Sequence, residues 1–264
     1  MRKSIFDLEI RVDKAYEFES LKDILIESNT IFYRGTFYNL YQFLNNEIFP
    51  TWKYKGMFID FDDFCNRLEI DWGTSYITQE NFLYLLELLI NLWAISETKI
   101  TKDEEENCSK KVLGYMRMNL PLIIEKMNYK IVNDDNKYRI IKRDSDVDSI
   151  LDIIPENCAN LLLDYNDIRS NSLASKKSIL KDLDLYIENN KKIYQSSDKD
   201  TYNSIQVIVN KMGINHPIKE KPYKSFDDEK LIEWYDKCFK LMIHLIRIKE
   251  INDINNERKL FNSD

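Results

Sequence analysis

The sequence predicts a mainly α-helical protein of two helical lobes, with one β-hairpin near residues 129–141. Three observations carry that expectation. Five glycines and five prolines are few for 264 residues, whereas sandwiches and doubly wound sheets need glycine at their turns. Long stretches repeat apolar residues at three- and four-residue spacing, which gathers them on one face of a helix. Only residues 128–142 alternate apolar and polar side chains around a turn-forming run, the pattern of a hairpin.

Taken in order, residues 4–17 show no clear period. Ser20-Leu21-Lys22-Asp23 has the form of a capping box and predicts a short helix through Leu21, Ile24 and Leu25. Gly35 interrupts it. Phe37, Leu40, Tyr41, Phe43, Leu44 and Ile48 then keep helical spacing from Thr36 until Pro50. Asp60 to Leu68 predicts another short helix. Thr78 caps a segment with Phe82, Leu85, Leu86, Leu89 and Leu92, apolar on nearly every side, which predicts a buried central helix. Thr101-Lys102-Asp103-Glu104 forms a further capping box, opening a helix that Pro121 should bend or divide before Met127.

Tyr129 to Val132 and Lys137 to Ile141 flank the turn run Asn133-Asp134-Asp135-Asn136. The lobe boundary is placed just before this hairpin. Residues 1–127 are read as an N-terminal helical domain and 128–264 as the hairpin plus a helical bundle. Ser145 to Asp148 starts a short helix before Pro155. Residues 155–249 then read as four helical segments, with polar loops at Asn166 to Ser172 and Gln195 to Lys199. The loop Gly213-Ile214-Asn215-His216-Pro217 interrupts them, Gly213 ending one helix as a glycine cap does. Asp227 opens the last long helix, whose tail beyond Asn252 loses its period and is expected to fray.

Net charge is −7, placed unevenly: residues 1–110 hold 12 Lys and Arg against 20 Asp and Glu. General attraction to a phosphate backbone needs a basic surplus, so any nucleic-acid contact is expected to be local. Cys65, Cys108, Cys158 and Cys238 are scattered, without C-x-x-C or zinc spacing, which suits free thiols in a reducing compartment. The start of the sequence has no signal-peptide pattern, and the longest apolar stretch, Leu83 to Ile95, is short for a bilayer. A cytoplasmic protein without a membrane span is expected.

Phosphate loops, dinucleotide fingerprints, nucleophile elbows and zinc-protease motifs are absent from the sequence, and two histidines leave no set of imidazoles for a metal. No cofactor is implied. Asp60, Asp62 and Asp63 are conceivable magnesium ligands and equally an ordinary solvated face. His216 is the better histidine: Lys211, Lys219, Lys221 and Lys224 surround it against one acid, Glu220. An imidazole beside ammonium groups suits a phosphate ester, with His as acid or base and Lys holding the charge. The same residues also suit a loop histidine bonded to a backbone carbonyl among solvated lysines. His244 lies on the last helix with Arg247 three residues on, and Lys176 and Lys177 stand near a helix N-terminus.

The run of residues 158–193, from Cys158 through Asp167-Ile168-Arg169 to Leu183 and onward, with Gly213-Ile214-Asn215-His216 and Leu231-Ile232-Glu233-Trp234-Tyr235-Asp236, is similar to the C-terminal half of AbiJ-type abortive-infection proteins. Those proteins are grouped with the HEPN superfamily of helical ribonucleases and nucleotide-binding modules of prokaryotic defence. The resemblance implies a HEPN-like bundle in 128–264 and an anti-phage role. It further implies a homodimer acting on RNA or nucleotides as a metal-independent endoribonuclease. The family signature is an Arg with a His four to six residues later. This chain has no Arg at that spacing before either histidine; Lys211 stands five residues before His216, and the nearest upstream Arg is Arg169. The implied site is therefore His216, Lys211 and Asn215 for catalysis, with Arg169, Lys219 and Lys221 on phosphate. The rival expectation is a non-catalytic helical interaction or regulatory module with a degenerate site, acting by binding a partner protein or a nucleotide.

Overall fold

The computed structural model describes residues 12–27, 29–100, 110–135, 137–219 and 221–261. Of these, 68% are helical, and the strands form two small antiparallel sheets of two strands each. The chain divides into two compact units, Met1–Lys142 and Arg143–Asp264.

In the first unit α1 (Lys14–Lys22) begins at Asp13, whose carboxylate accepts from the amides of Ala15 and Tyr16. Ser20-Leu21-Lys22-Asp23 therefore lies inside the helix and does not start it. The earlier cap brings Phe18 and Leu21 into the core together. A wide π turn, Asp23–Glu27, follows. The next segment departs from expectation: β1 (Asn29–Tyr33) and β2 (Thr36–Asn39) form a hairpin, and the helix starts only at Leu40. Arg34 (φ 49°) and Gly35 (φ 82°) are both left-handed, giving the two-residue turn that Asn-Gly usually supplies. Asn39 and Gln42 make a reciprocal capping box for α2 (Leu40–Phe43), which widens into a π turn at Leu44–Ile48. After α3 (Phe61–Arg67), Thr78 caps α4 (Gln79–Lys99) by accepting from the Asn81 amide at 3.1 Å. Phe82, Leu85, Leu86, Leu89 and Leu92 are fully buried. At roughly 1.5–3 kcal/mol for each such side chain, α4 is the main apolar investment of this unit.

The capping box expected at Thr101 to Glu104 falls outside the described residues. Pro121 does divide the next helix. A π turn at Tyr115–Asn119 separates α5 (Lys110–Gly114) from α6 (Leu120–Lys126), and the proline sits in the first turn of α6, where its missing N–H costs nothing. β3 (Tyr129–Asp134) then pairs with β4 (Lys137–Lys142), Ile131 facing Ile140. Asn91 of α4 donates to the Tyr138 carbonyl (2.7 Å) and accepts from the Tyr138 amide (3.0 Å). Glu87 accepts from the Ile140 amide (2.7 Å). The hairpin thus belongs to the first unit, and the boundary falls after Lys142 rather than at 127. Its β4 flank needed hydrogen-bond partners, and α4 carries them.

The second unit holds α7 (Ser145–Asp148), α8 (Glu156–Tyr165), a 3-10 turn at Ile168–Ser170 and α9 (Leu173–Asn189). α10 (Lys191–Ser197), α11 (Lys199–Lys211), α12 (Lys221–Lys224) and α13 (Asp228–Phe261) complete it. Leu162, Leu180, Leu183, Ile187, Tyr194, Ile205, Val209, Met242 and Leu245 form one core. Where a loop was expected at Gln195 to Lys199, α10 runs to Ser197 and only Asp198 is extended, because Tyr194 is buried and holds the turn in place. Where the tail beyond Asn252 was expected to fray, α13 continues to Phe261. Neither Gly nor Pro occurs after Pro222, and Lys249 pairs with Asp253 at 3.0 Å one turn on. Its inner face stays buried as far as Glu250; residues 251–258 are mostly exposed.

Among the described residues no helix is long and apolar enough to cross a membrane. Cys65, Cys158 and Cys238 are free and buried, and burial pushes the Cys65 thiol up to about 12.

Candidate functional site

The site begins with α11. Asp198 caps it, accepting from the Asp200 and Thr201 amides at 3.1 and 3.0 Å and from the Thr201 hydroxyl at 2.7 Å. Tyr202, Ile205, Ile208 and Val209 turn into the core. That leaves Asn203, Asn210 and Lys211 away from the core, with Gln206 on the flank between the two faces.

The helix closes on Gly213 with φ +75°. The Ile214 amide bonds back to the Val209 carbonyl at 3.1 Å and the Ile214 side chain is buried, which is a Schellman closure with its apolar contact. A Cβ at 213 would sit 2.8 Å from Ile218 Cγ1, so glycine is required twice over, by backbone and by space. This closure turns the chain sharply and brings residues 215–219 back along α11.

Asn215 points inward. Its Nδ2 donates to Asp184 Oδ2 at 2.7 Å, and Gln206 Nε2 donates to Asp184 Oδ1 at 2.8 Å. Asp184 is only 2% exposed. Burial raises its carboxyl above the usual carboxylate range, against the lowering effect of its two hydrogen bonds. His216 and Pro217 are exposed. Together with Asn203, Asn210, Lys211 and Lys219, His216 borders an open cleft of about 560 Å³. Gln206, Val207 and Pro217 complete its described lining, in which there is no carboxylate. The Lys211 ammonium stands 5.5 Å from the centre of the Tyr223 ring, whose face favours a cation there.

The structure therefore brings Lys211, His216 and Lys219 together and separates them from other candidates. Asn215 supports the loop and does not line the cleft. Arg169 lies in the 3-10 turn after α8 and is held in a two-pronged pair by Asp167, at 2.8 and 2.6 Å, away from the cleft lining. The side chain of Lys221 lies outside the described residues.

His244, on α13, is exposed and 4.0 Å from Asp198 Oδ2. Arg247 turns from it toward Asp146, at 3.6 Å, and bonds the Ser149 hydroxyl. Lys176 is committed to Asp236 at 2.7 Å over the Tyr165 ring. The acidic trio is structural: Asp60 caps α3 through the Asp63 amide (2.8 Å), and Asp62 accepts from Tyr41. The Ile59 amide and Arg67 hold the Asp63 carboxyl below its usual range. No group of three or more metal-ligating side chains is assembled among the described residues.

Sequence reasoning missed Asp184 and Gln206. The signal for Asp184 was present: it occupies a core position in the Leu180, Leu183, Ile187 stripe of α9, where a carboxylate is out of place. Compared with known proteins, the chain matches no family model, no curated protein and no solved structure.

Proposed function

We propose that this chain is a HEPN-like prokaryotic defence protein whose second unit binds a phosphate-bearing ligand, RNA or a nucleotide, in the Lys211–His216–Lys219 cleft. The observation that carries the binding reading is the lining itself. In a chain of net charge −7, one cleft gathers two lysines and an imidazole with no acid in its described lining. Ammonium groups attract phosphate as point charges, and each charge-assisted hydrogen bond is worth about 1.5–3 kcal/mol. The carboxamides of Asn203 and Asn210 add neutral donors and acceptors beside that charge. The defence role rests on the resemblance at residues 158–193, 213–216 and 231–236.

Binding without turnover is the stronger form of this reading, because a lysine stands where the family has its arginine. In the cleavage form, the His216 imidazole would take the proton from a ribose 2′-hydroxyl as its oxygen attacks the adjacent phosphorus. The bond from phosphorus to the 5′-oxygen breaks to leave a 2′,3′-cyclic phosphate. The departing 5′-oxygen is protonated from solvent, to which the imidazolium returns its proton. Lys211 would hold the non-bridging oxygens. A homodimer could bring a second set of cations to the same phosphate.

The test is fluorescence polarisation with a labelled single-stranded RNA at several salt concentrations, on wild type and on Lys211→Ala, Lys219→Ala and His216→Ala. Each lysine change should weaken binding and lower the salt slope by about 0.7. Equal binding by all four proteins would overturn the site. A gel of the same RNA reads cleavage: scission lost in His216→Ala selects the nuclease form, and intact RNA selects the binding module.

A further inference from the structure

The two hydrogen bonds to Asp184 come from two parts of the cleft. Gln206 belongs to the α11 wall, and Asn215 is the residue before His216. One buried carboxylate on α9 therefore ties the histidine loop to the helix it faces. We infer that Asp184 is the positioning residue of this cleft. Through Asn215 it fixes where the His216 ring is presented, and through Gln206 it fixes the wall along which a phosphate-bearing ligand lies. The inference deepens the phosphate-site reading above and rests on it.

The surroundings of Asp184 argue for that role. Its neighbours on the inner face of α9 are Leu180, Leu183 and Ile187, all fully buried. A leucine at 184 would pack there, and a carboxylate loses its hydration instead. What it gains is direction. Both partners are neutral carboxamides, each of which must point an N–H at one oxygen. Gly213 and the buried Ile214 already anchor the loop on the α11 side. The bond from Asn215 anchors it on the α9 side, one residue before the exposed imidazole.

Two histidines make the claim measurable, because His216 and His244 are the only imidazoles in the chain. Ring C–H cross-peaks in NMR spectra report each separately, with His244 as the internal control. Asn215→Ala cuts the tether at its half-buried end. It is expected to move the His216 ring signals, leave those of His244 in place and weaken single-stranded RNA binding several-fold. Asp184→Asn should move the same signals, since one of the two partner amides must then turn over and meet the new N–H with its oxygen.

The paired change Asp184→Asn with Asn215→Asp reverses the polarity of the bond and keeps an acceptor for Gln206. It should return both the His216 signals and the affinity toward wild type. Unmoved His216 signals in Asn215→Ala, or a folded paired variant that stays as displaced as Asp184→Asn, would overturn the inference. If the ring signals move as expected and wild type binds no RNA, the positioning stands and the phosphate reading falls. If RNA binds and the ring signals never move, the phosphate reading stands and the positioning falls.

Discussion

Each unit contains a buried polar side chain on a core helix that reaches out to hold a non-helical segment. Asn91 on α4 holds the β3–β4 hairpin, and Asp184 on α9 holds the histidine loop. The two solve the same problem with different chemistry. Asn91 is neutral and offers one donor and one acceptor to the peptide groups of Tyr138, so every partner is satisfied without charge. Asp184 offers only acceptors, carries its charge into a site 2% exposed, and grips side chains instead of backbone. The first arrangement favours permanence. The second costs desolvation and gains a defined geometry at an exposed imidazole, which is a sensible exchange only near a functional surface.

The sharpest way to break the comparison is Asn91→Leu, which leaves a peptide N–H and C=O of β4 without partners. We expect a loss of about 2–6 kcal/mol, at about 1–3 kcal/mol for each of the two groups left unpaired. Three of the four tryptophans, Trp52, Trp72 and Trp93, lie in the first unit and Trp234 in the second, so tryptophan emission during denaturant unfolding in a Trp234→Phe background reports the first unit. No change in the midpoint would show that the clamp is incidental.

Next in size is Gly213→Ala, which strains a left-handed backbone and presses on Ile218. It should cost the second unit about 1–2 kcal/mol, measured by the far-ultraviolet circular dichroism of unfolding.

The smallest effect, and the most diagnostic, is a pH slope. Because burial raises the Asp184 carboxyl in the folded chain, this group contributes most to stability below the ordinary aspartate range. That contribution is lost as pH rises through the raised value. The stability of wild type relative to Asp184→Asn should therefore fall with rising pH across that window, whereas the loss in Asn91→Leu should be nearly flat. Parallel pH profiles for wild type and Asp184→Asn would erase the distinction between the two clamps.

What the sequence discloses follows from how local each signal is. α4 was legible because Thr78 and an all-round apolar run sit side by side in the chain. The β3–β4 hairpin was legible from clean alternation around a turn of Asn and Asp. The β1–β2 hairpin was hidden. Its turn is Arg-Gly, and an exposed Phe37 follows a buried Tyr33, so aromatic side chains on both faces blur the alternation. In the site, Lys211, His216 and Lys219 fall within nine residues and could be grouped from their spacing. Asp184 lies 31 residues before Asn215, and only the folded core that α9 and α11 share brings the pair together. Arg169 misled for the opposite reason: a cation seemingly available for phosphate is occupied by Asp167, two residues away.

The Asn91 clamp has one more consequence. A two-stranded ribbon offers a flank of unpaired peptide groups on each side, and such flanks recruit stray strands from neighbouring molecules. On the β4 side, Asn91 and Glu87 occupy the Tyr138 and Ile140 positions from a helix. A helix cannot be extended by another strand. Growth of the ribbon therefore stops on that side, and a chain rich in isoleucine and tyrosine is spared one route to fibrous self-assembly.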